Sequence, residues 1–150
     1  MIKRTFPQSR LRRTRIKGSL RDLVAENHLS ANDLIQPIFI ADQTEKKIEI
    51  PSMPSIYRHN LDSLYAEAEE LINKGIKSVA IFPAIDAAKK DKNGSHAFDD
   101  KNIVCLALKG LAERFPEVIK IADVALDPYT DHGHDGVLVD NNVDLSLIHI

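Results

Sequence analysis

The stretch from Asn60 to Pro83 reads NLDSLYAEAEELINKGIKSVAIFP. Leu61, Leu64, Tyr65, Ala68, Leu71 and Ile72 recur at spacings of three and four, which lays them along one face of a helix. Asn60 has the side chain of an N-cap, and Gly75 stands where a left-handed residue would end the helix. Three residues later Val79-Ala80-Ile81-Phe82-Pro83 is an almost unbroken apolar run, the pattern of a strand covered by other structure. A helix feeding a buried strand through so short a link is the repeating step of a parallel α/β fold.

The same step recurs on both sides. Upstream, Leu34 to Ile40 is a short, β-branched, apolar run and reads as a strand. Pro37 removes a ladder donor there, so an edge or first strand, or a bulge, is expected. Ile50-Pro51-Ser52-Met53-Pro54 reads as a rigid loop. Downstream, Ala87 to Asp100 is a polar loop with a tight turn at Asn93-Gly94. Val104, Ala107, Leu108, Leu111 and Phe115 then mark a second helix, which Pro116 stops. Ile119 to Leu126 reads as a third buried strand. The order strand, helix, strand, helix, strand suits a doubly wound sheet and a barrel alike. No glycine-rich fingerprint follows any strand, which argues against a dinucleotide site. Residues 1–18 show no period and read as an extended arm, and Ser19 is placed to cap a short helix carrying Leu20, Leu23 and Val24.

Composition narrows the class. The single cysteine, Cys105, excludes a disulfide scaffold and a cysteine-rich zinc module. It fits a reducing, cytoplasmic setting. No run of 18 apolar residues is present, so no membrane span is expected. The start has basic residues but no apolar segment typical of a secretory signal. Charge is uneven: residues 1–21 hold eight bases and no acid, whereas residues 121–150 hold six acids and no Lys or Arg. A basic arm can bind nucleic acid, but no aromatic platform interleaves with these bases. Contact with an acidic surface on a neighbouring subunit is the plainer reading of them.

The densest chemistry is DVALDPYTDHGHDG, residues 123–136. It lies at the carboxyl end of the third strand, where α/β folds build their sites. Asp123 would be a carboxylate inside an apolar strand, which is costly unless loop amides or a partner charge satisfy it. It is read either that way or as a charge aimed into a pocket. Asp127, Asp131, His132, His134 and Asp135 could ligate a divalent ion. They are equally ordinary turn residues. Cys105 reads as an inert helix residue, and His28, His59 and His96 as solvated loop residues.

Several stretches together resemble the N-terminal part of the porphobilinogen synthase family, also called delta-aminolevulinic acid dehydratase. They are Arg10-Leu11-Arg12-Arg13, Asp33 to Phe39, Ile50 to Pro54, Ala80 to Pro83, Asp123 to Thr130 and His132 to Gly136. The resemblance runs from about Phe6 to about Asp140. It implies an α/β fold, the (β/α)₈ TIM barrel, of which this chain would hold the N-terminal arm and about the first three βα units. It implies an enzyme that condenses two 5-aminolevulinate molecules into porphobilinogen with loss of two waters, a lyase step toward haem. It further implies a homooctamer in which Arg10, Arg12 and Arg13 contact a neighbouring subunit, with no nucleic acid and no membrane involved.

Two departures qualify that reading. Zinc-dependent members carry cysteines where this chain has Ala125, Asp127 and Asp135. Hard carboxylates in place of soft thiolates disfavour Zn²⁺ there; the pattern resembles the family's aspartate-type branch, which implies Mg²⁺ or a monovalent cation. Asp127 and Asp135 are thus the candidate metal residues, and Asp123 the candidate active-site residue. The family's two Schiff-base lysines match no lysine of this chain, so the 150 residues by themselves are expected to be inactive. A non-catalytic fragment that binds full-length subunits through its arm is the alternative. The expected organisation is an arm over residues 1–18, a partial barrel over 19–144, and a non-native tail over 145–150. That tail resembles the translated end of a transposon-type sequencing adapter.

Overall fold

The structure, a computed structural model, describes residue 5 and residues 12–144. Arg10 and the tail 145–150 lie outside the described residues. The chain divides into two compact units, residues 1–30 and 31–150.

The first unit holds one turn of 3-10 helix at Arg13–Arg15 and helix α1, Gly18–Leu23. Neither element contains a buried residue. The expectation of an extended arm therefore fails from Arg13 onward. Ser19 does not cap α1. The cap lies two residues earlier, at Lys17, which is extended and whose carbonyl already accepts from Arg21 N at 3.1 Å.

In the second unit the strands are β1 (Gln36–Ala41), β2 (Lys47–Glu49), β3 (Tyr57–His59), β4 (Ser78–Ala84) and β5 (Ile119–Ala122). They form one sheet in the order β2-β3-β1-β4-β5, parallel except where β2 meets β3. Helix α2 (Leu61–Asn73) and helix α3 (Ile103–Arg114) make the crossovers. A two-stranded ribbon follows, β6 (Leu138–Val139) and β7 (Asn142–Val143), around Asp140 and Asn141, both at positive φ.

Both helix caps form. Asn60 Oδ1 accepts from Ser63 N at 3.0 Å, and Asn102 Oδ1 from Cys105 N at 2.9 Å. Gly75 adopts φ +87°, and Ile76 N turns back to Leu71 O at 3.0 Å. A β-branched or bulky residue would strain that corner.

Side-chain parity settles the layering. Ile38, Ile40, Val79 and Ile81 point to one face of the sheet and pack on Leu64, Ala68 and Leu71 of α2 and on Val104, Ala107 and Leu111 of α3. Leu64 and Leu111 are fully buried, each contributing about 2 kcal/mol of apolar burial. Both helices thus cover the same face. A doubly wound sheet would place helices on both, so the arrangement is that of a barrel wall. The opposite face carries Phe39 and Phe82, with ring centroids 5.8 Å apart, and the paired residues Ala80 and Ile121.

One expectation is corrected. The third strand is shorter than Ile119 to Leu126 and is not buried: Ile119 and Ile121 are 60% and 40% exposed. Its ladder ends where Asp123 N reaches Ile81 O at 3.2 Å, because the Asp123 carboxylate then folds the chain back onto Ala125 N. The segment around Pro51 and Pro54 is a loop as expected, and it forms the tip of the β2–β3 hairpin. Pro37 sits in a strand that is central by order, yet β3 reaches β1 only at Phe39 and Ile40. At Pro37, the second residue of the first strand, the pairing among the described residues is with Ala80 of β4 alone.

Candidate functional site

Asp123 stands one residue past β5, at the carboxyl edge of the sheet. It is half-buried, and its Oδ1 accepts from Ala125 N at 3.1 Å. A loop amide therefore engages the carboxylate.

The chain from Leu126 to Gly136 is a closed loop tied by its own polar groups. Asp135 Oδ1 accepts from Leu126 N at 2.6 Å, joining the two ends. Thr130 is buried, and its hydroxyl is shared between His134 O at 3.0 Å and Asp127 O at 3.3 Å. His134 N donates to His132 Nδ1 at 3.1 Å, and the two imidazole rings stack with centroids 5.7 Å apart. Asp127, Asp131, His134 and Asp135 are exposed, whereas Tyr129 is buried beneath them. Burial pushes the Tyr129 phenol above its ordinary range.

The two candidate metal residues are thus at the rim of one loop, Asp127 with its carboxylate free for solvent and Asp135 with one oxygen given to the backbone. Among the described residues no three His, Cys, Asp or Glu side chains gather as a metal cage. The donor set is two exposed carboxylates. That is chemistry a water-rich Mg²⁺ ion accepts and a four-coordinate thiolate zinc site does not offer.

Sequence reasoning missed the segment that supports this loop. Asp91 lies beside it in a parallel bridge to Thr130. Asp91 N donates to Tyr129 O at 3.3 Å, and Asp131 N donates to Asp91 O at 3.1 Å. Lys92 O meets His132 Nε2 at 3.2 Å. The available signal was the Asp-x-x-Gly-Ser pattern at 91–95, a turn whose first residue accepts from the amides that follow. His96 is not solvated as expected. Its ring packs edge-on to Tyr129 at 6.1 Å between centroids and lies 3.7 Å from Asp99. His59 is also not solvated: it is buried under α2, sharing a hydrogen bond of 2.6 Å with Ser63 Oγ. His28 and Cys105 are exposed, and Arg12 and Arg13 are exposed in the first unit.

A separate cleft of about 330 Å³ opens at the carboxyl ends of β1 and β4. Its polar groups include an Asp42–Lys89 ion pair at 2.5 Å, together with His96 and Lys101. None of Asp123, Asp127 or Asp135 lines it.

The model of one family, delta-aminolevulinic acid dehydratase, matches residues 8–149. The chain belongs to the delta-aminolevulinic acid dehydratase family. A dehydratase of that name from Chlamydia pneumoniae is 44% identical over 134 residues, which cover 89% of this chain and 40% of that protein. The Bacillus subtilis dehydratase is 40% identical over 132 residues, or 88% of this chain and 40% of that protein. Among solved structures, the Toxoplasma gondii ME49 dehydratase (porphobilinogen synthase), in complex with the reaction product porphobilinogen, superposes with a TM-score of 0.82. It is 37% identical, and the match covers 91% of this chain and 39% of that one. The chain spans about two-fifths of the length of the dehydratases it matches. The one-sided helix layer over a parallel sheet is accordingly a segment of the family's TIM barrel. Among the described residues, no helix is long and apolar enough to cross a membrane.

Proposed function

We propose that this chain provides the arm and first βα units of a porphobilinogen synthase, which condenses two 5-aminolevulinate molecules to porphobilinogen with release of two waters. The observation that carries the reading is the family match over residues 8–149, which includes the whole Asp123–Gly136 loop at the carboxyl edge of the sheet. In this reading Asp123 faces the substrate pocket, where a fixed carboxylate orients an ammonium or a lysine amine. Asp127 and Asp135 hold the position of the zinc cysteines of other members. They favour Mg²⁺, with a monovalent cation beside it, over Zn²⁺. A hard divalent ion supplies charge stabilisation when bound. Arg10, Arg12 and Arg13 contact a neighbouring subunit of a cytoplasmic homooctamer.

The Schiff-base chemistry needs a desolvated lysine amine that can attack a ketone. No lysine of this chain is assigned that part, so the 150 residues alone are inactive. The test is a chimera: a full-length family member whose segment matching 8–149 is replaced by this chain's. It is expected to form porphobilinogen from 5-aminolevulinate with Mg²⁺ and without added Zn²⁺. A folded but inactive chimera would overturn the reading. Porphobilinogen formed by the isolated chain would overturn the inactivity.

A further inference from the structure

We infer that Asp91 is the positioning residue of the Leu126–Gly136 loop, acting through the turn that its carboxylate folds. The inference rests on the reading that this loop works in the family's active site.

The turn is built on one carboxylate oxygen. Asp91 Oδ1 accepts from Asn93 N at 2.9 Å and from Ser95 N at 3.0 Å. Asp91 O accepts from Gly94 N at 3.3 Å. Three amides thus converge on one residue and fix residues 91–95 as a rigid block. That block then meets the loop at four places. Asp91 N and Asp91 O pair with Tyr129 O and Asp131 N, as a short extra strand would. Lys92 O meets the His132 ring. Gly94, at φ +62°, lies so close to Leu126 that a β-carbon there would come within 2.7 Å of Leu126 Cδ1.

The contacts fall on Leu126, Tyr129, Asp131 and His132, which bracket Asp127. Within the loop, Leu126 N also holds Asp135 Oδ1. The two candidate metal carboxylates are therefore placed by a segment some 35 residues upstream in the chain. Charge-assisted acceptance of backbone amides is stronger than a neutral hydrogen bond. The ionised amide-bound form is favoured, and the Ser95 amide first of all holds the Asp91 carboxyl below its ordinary range.

The test uses the 150-residue chain, with nuclear magnetic resonance of backbone amides and histidine rings at one neutral pH. In Asp91→Ala, exchange of the two bridging amides, that of residue 91 (to Tyr129 O) and that of Asp131, is expected to rise at least about tenfold as the turn that holds them loosens. The His132 ring signals shift, while those of His59 stay in place. Asp91→Asn keeps an oxygen acceptor and returns both readouts toward the parent. Gly94→Ala, which forces the turn against Leu126, reproduces the local effect with Asp91 intact. Unchanged exchange and unchanged His132 signals in Asp91→Ala would overturn the inference. So would a uniform rise that includes core amides such as Ile81 and Leu111, since a general structural role predicts that instead. Were Asp91→Ala not to fold, the Asn and Gly94→Ala pair decides on the same readouts. None of these measurements depends on catalysis, so the positional role and the proposed activity fail separately.

Discussion

Gly110 of α3 and Tyr65 of α2 occupy one another's space. A β-carbon on Gly110 would overlap the Tyr65 hydroxyl and its ring edge. The same ring carries the Arg114 guanidinium 4.2 Å from its centroid. A small residue on one helix, an aromatic on the other and a cation stacked over it set how closely the two crossovers approach.

Gly110→Ala therefore sets two effects against each other. Alanine favours the helix by about 1 kcal/mol. Overpacking against Tyr65 costs about 1–3 kcal/mol. A net loss of about 1 kcal/mol is expected in denaturant unfolding. The Gly110→Ala, Tyr65→Ala double variant should lose less than the two single losses added. Strict additivity would show that the ring is not the obstacle.

Acid should weaken the fold through His59. Burial lowers the pKa of its imidazole from the ordinary value of 6.5, with Lys47 acting in the same direction and Glu67 against it. The unfolded chain binds a proton near 6.5 and the folded chain does so only lower. The stabilising effect is thus complete above about pH 6.5 and declines as pH falls toward the folded value. Urea midpoints between pH 7.5 and 5.5 should fall less steeply in His59→Gln than in the parent. Equal slopes would place the acid sensitivity elsewhere.

Removing either helix cap should destabilise without changing the fold. Asn60→Ala and Asn102→Ala each leave a first-turn amide without its acceptor, at a cost of about 1 kcal/mol. The two sites lie on different helices, and their losses should nearly add. Thermal melts of the two single variants and the double variant check both points.

Asp135→Ala should open the loop that Asp135→Asn keeps closed. The alanine removes the acceptor of Leu126 N, while asparagine retains an oxygen there. Exchange at the Leu126 amide should rise several-fold in the first and little in the second, corresponding to about 1–2 kcal/mol. Any effect of Asp127→Asn on that amide should be absent, because the Asp127 carboxylate is not part of the closure.

The open face of the sheet should make the chain self-associate. Ile119 and Ile121 are exposed on the face away from the helices, beside Phe39 and Phe82, and no described strand pairs with the outer edge of β5. Sedimentation velocity should show mass rising with concentration. Ile121→Lys should suppress that rise while leaving the helical signal intact.

The legible parts of the sequence were those with a period or a cap. Leu61 to Ile72 with Asn60 and Gly75 specified α2 to within a residue. The apolar runs specified β1 and β4, because continuous burial leaves no polar alternation to misread. The three-residue strands β2 and β3 are too short to show a period, and His59 was misplaced with them. The end of β5 was misread because Val124, Ala125 and Leu126 continue its apolar character, while the Asp123 carboxylate turns the backbone there.

At the site, the sequence singled out Asp123 from its place at the end of a strand, and Asp127 and Asp135 through the resemblance to one family. It could not name Asp91, whose relation to Thr130 is a pairing between distant segments.

By itself the sequence determined the order of elements, the caps and the resemblance to one family, since all three are local patterns of residue type. Tertiary structure alone decided that both helices lie on the same side of the sheet, and that residues 91–95 hold the Leu126–Gly136 loop. Helix periodicity fixes which face of a helix is apolar, but not which face of the sheet receives it. A backbone hydrogen bond between distant segments leaves no mark on the side chains that make it.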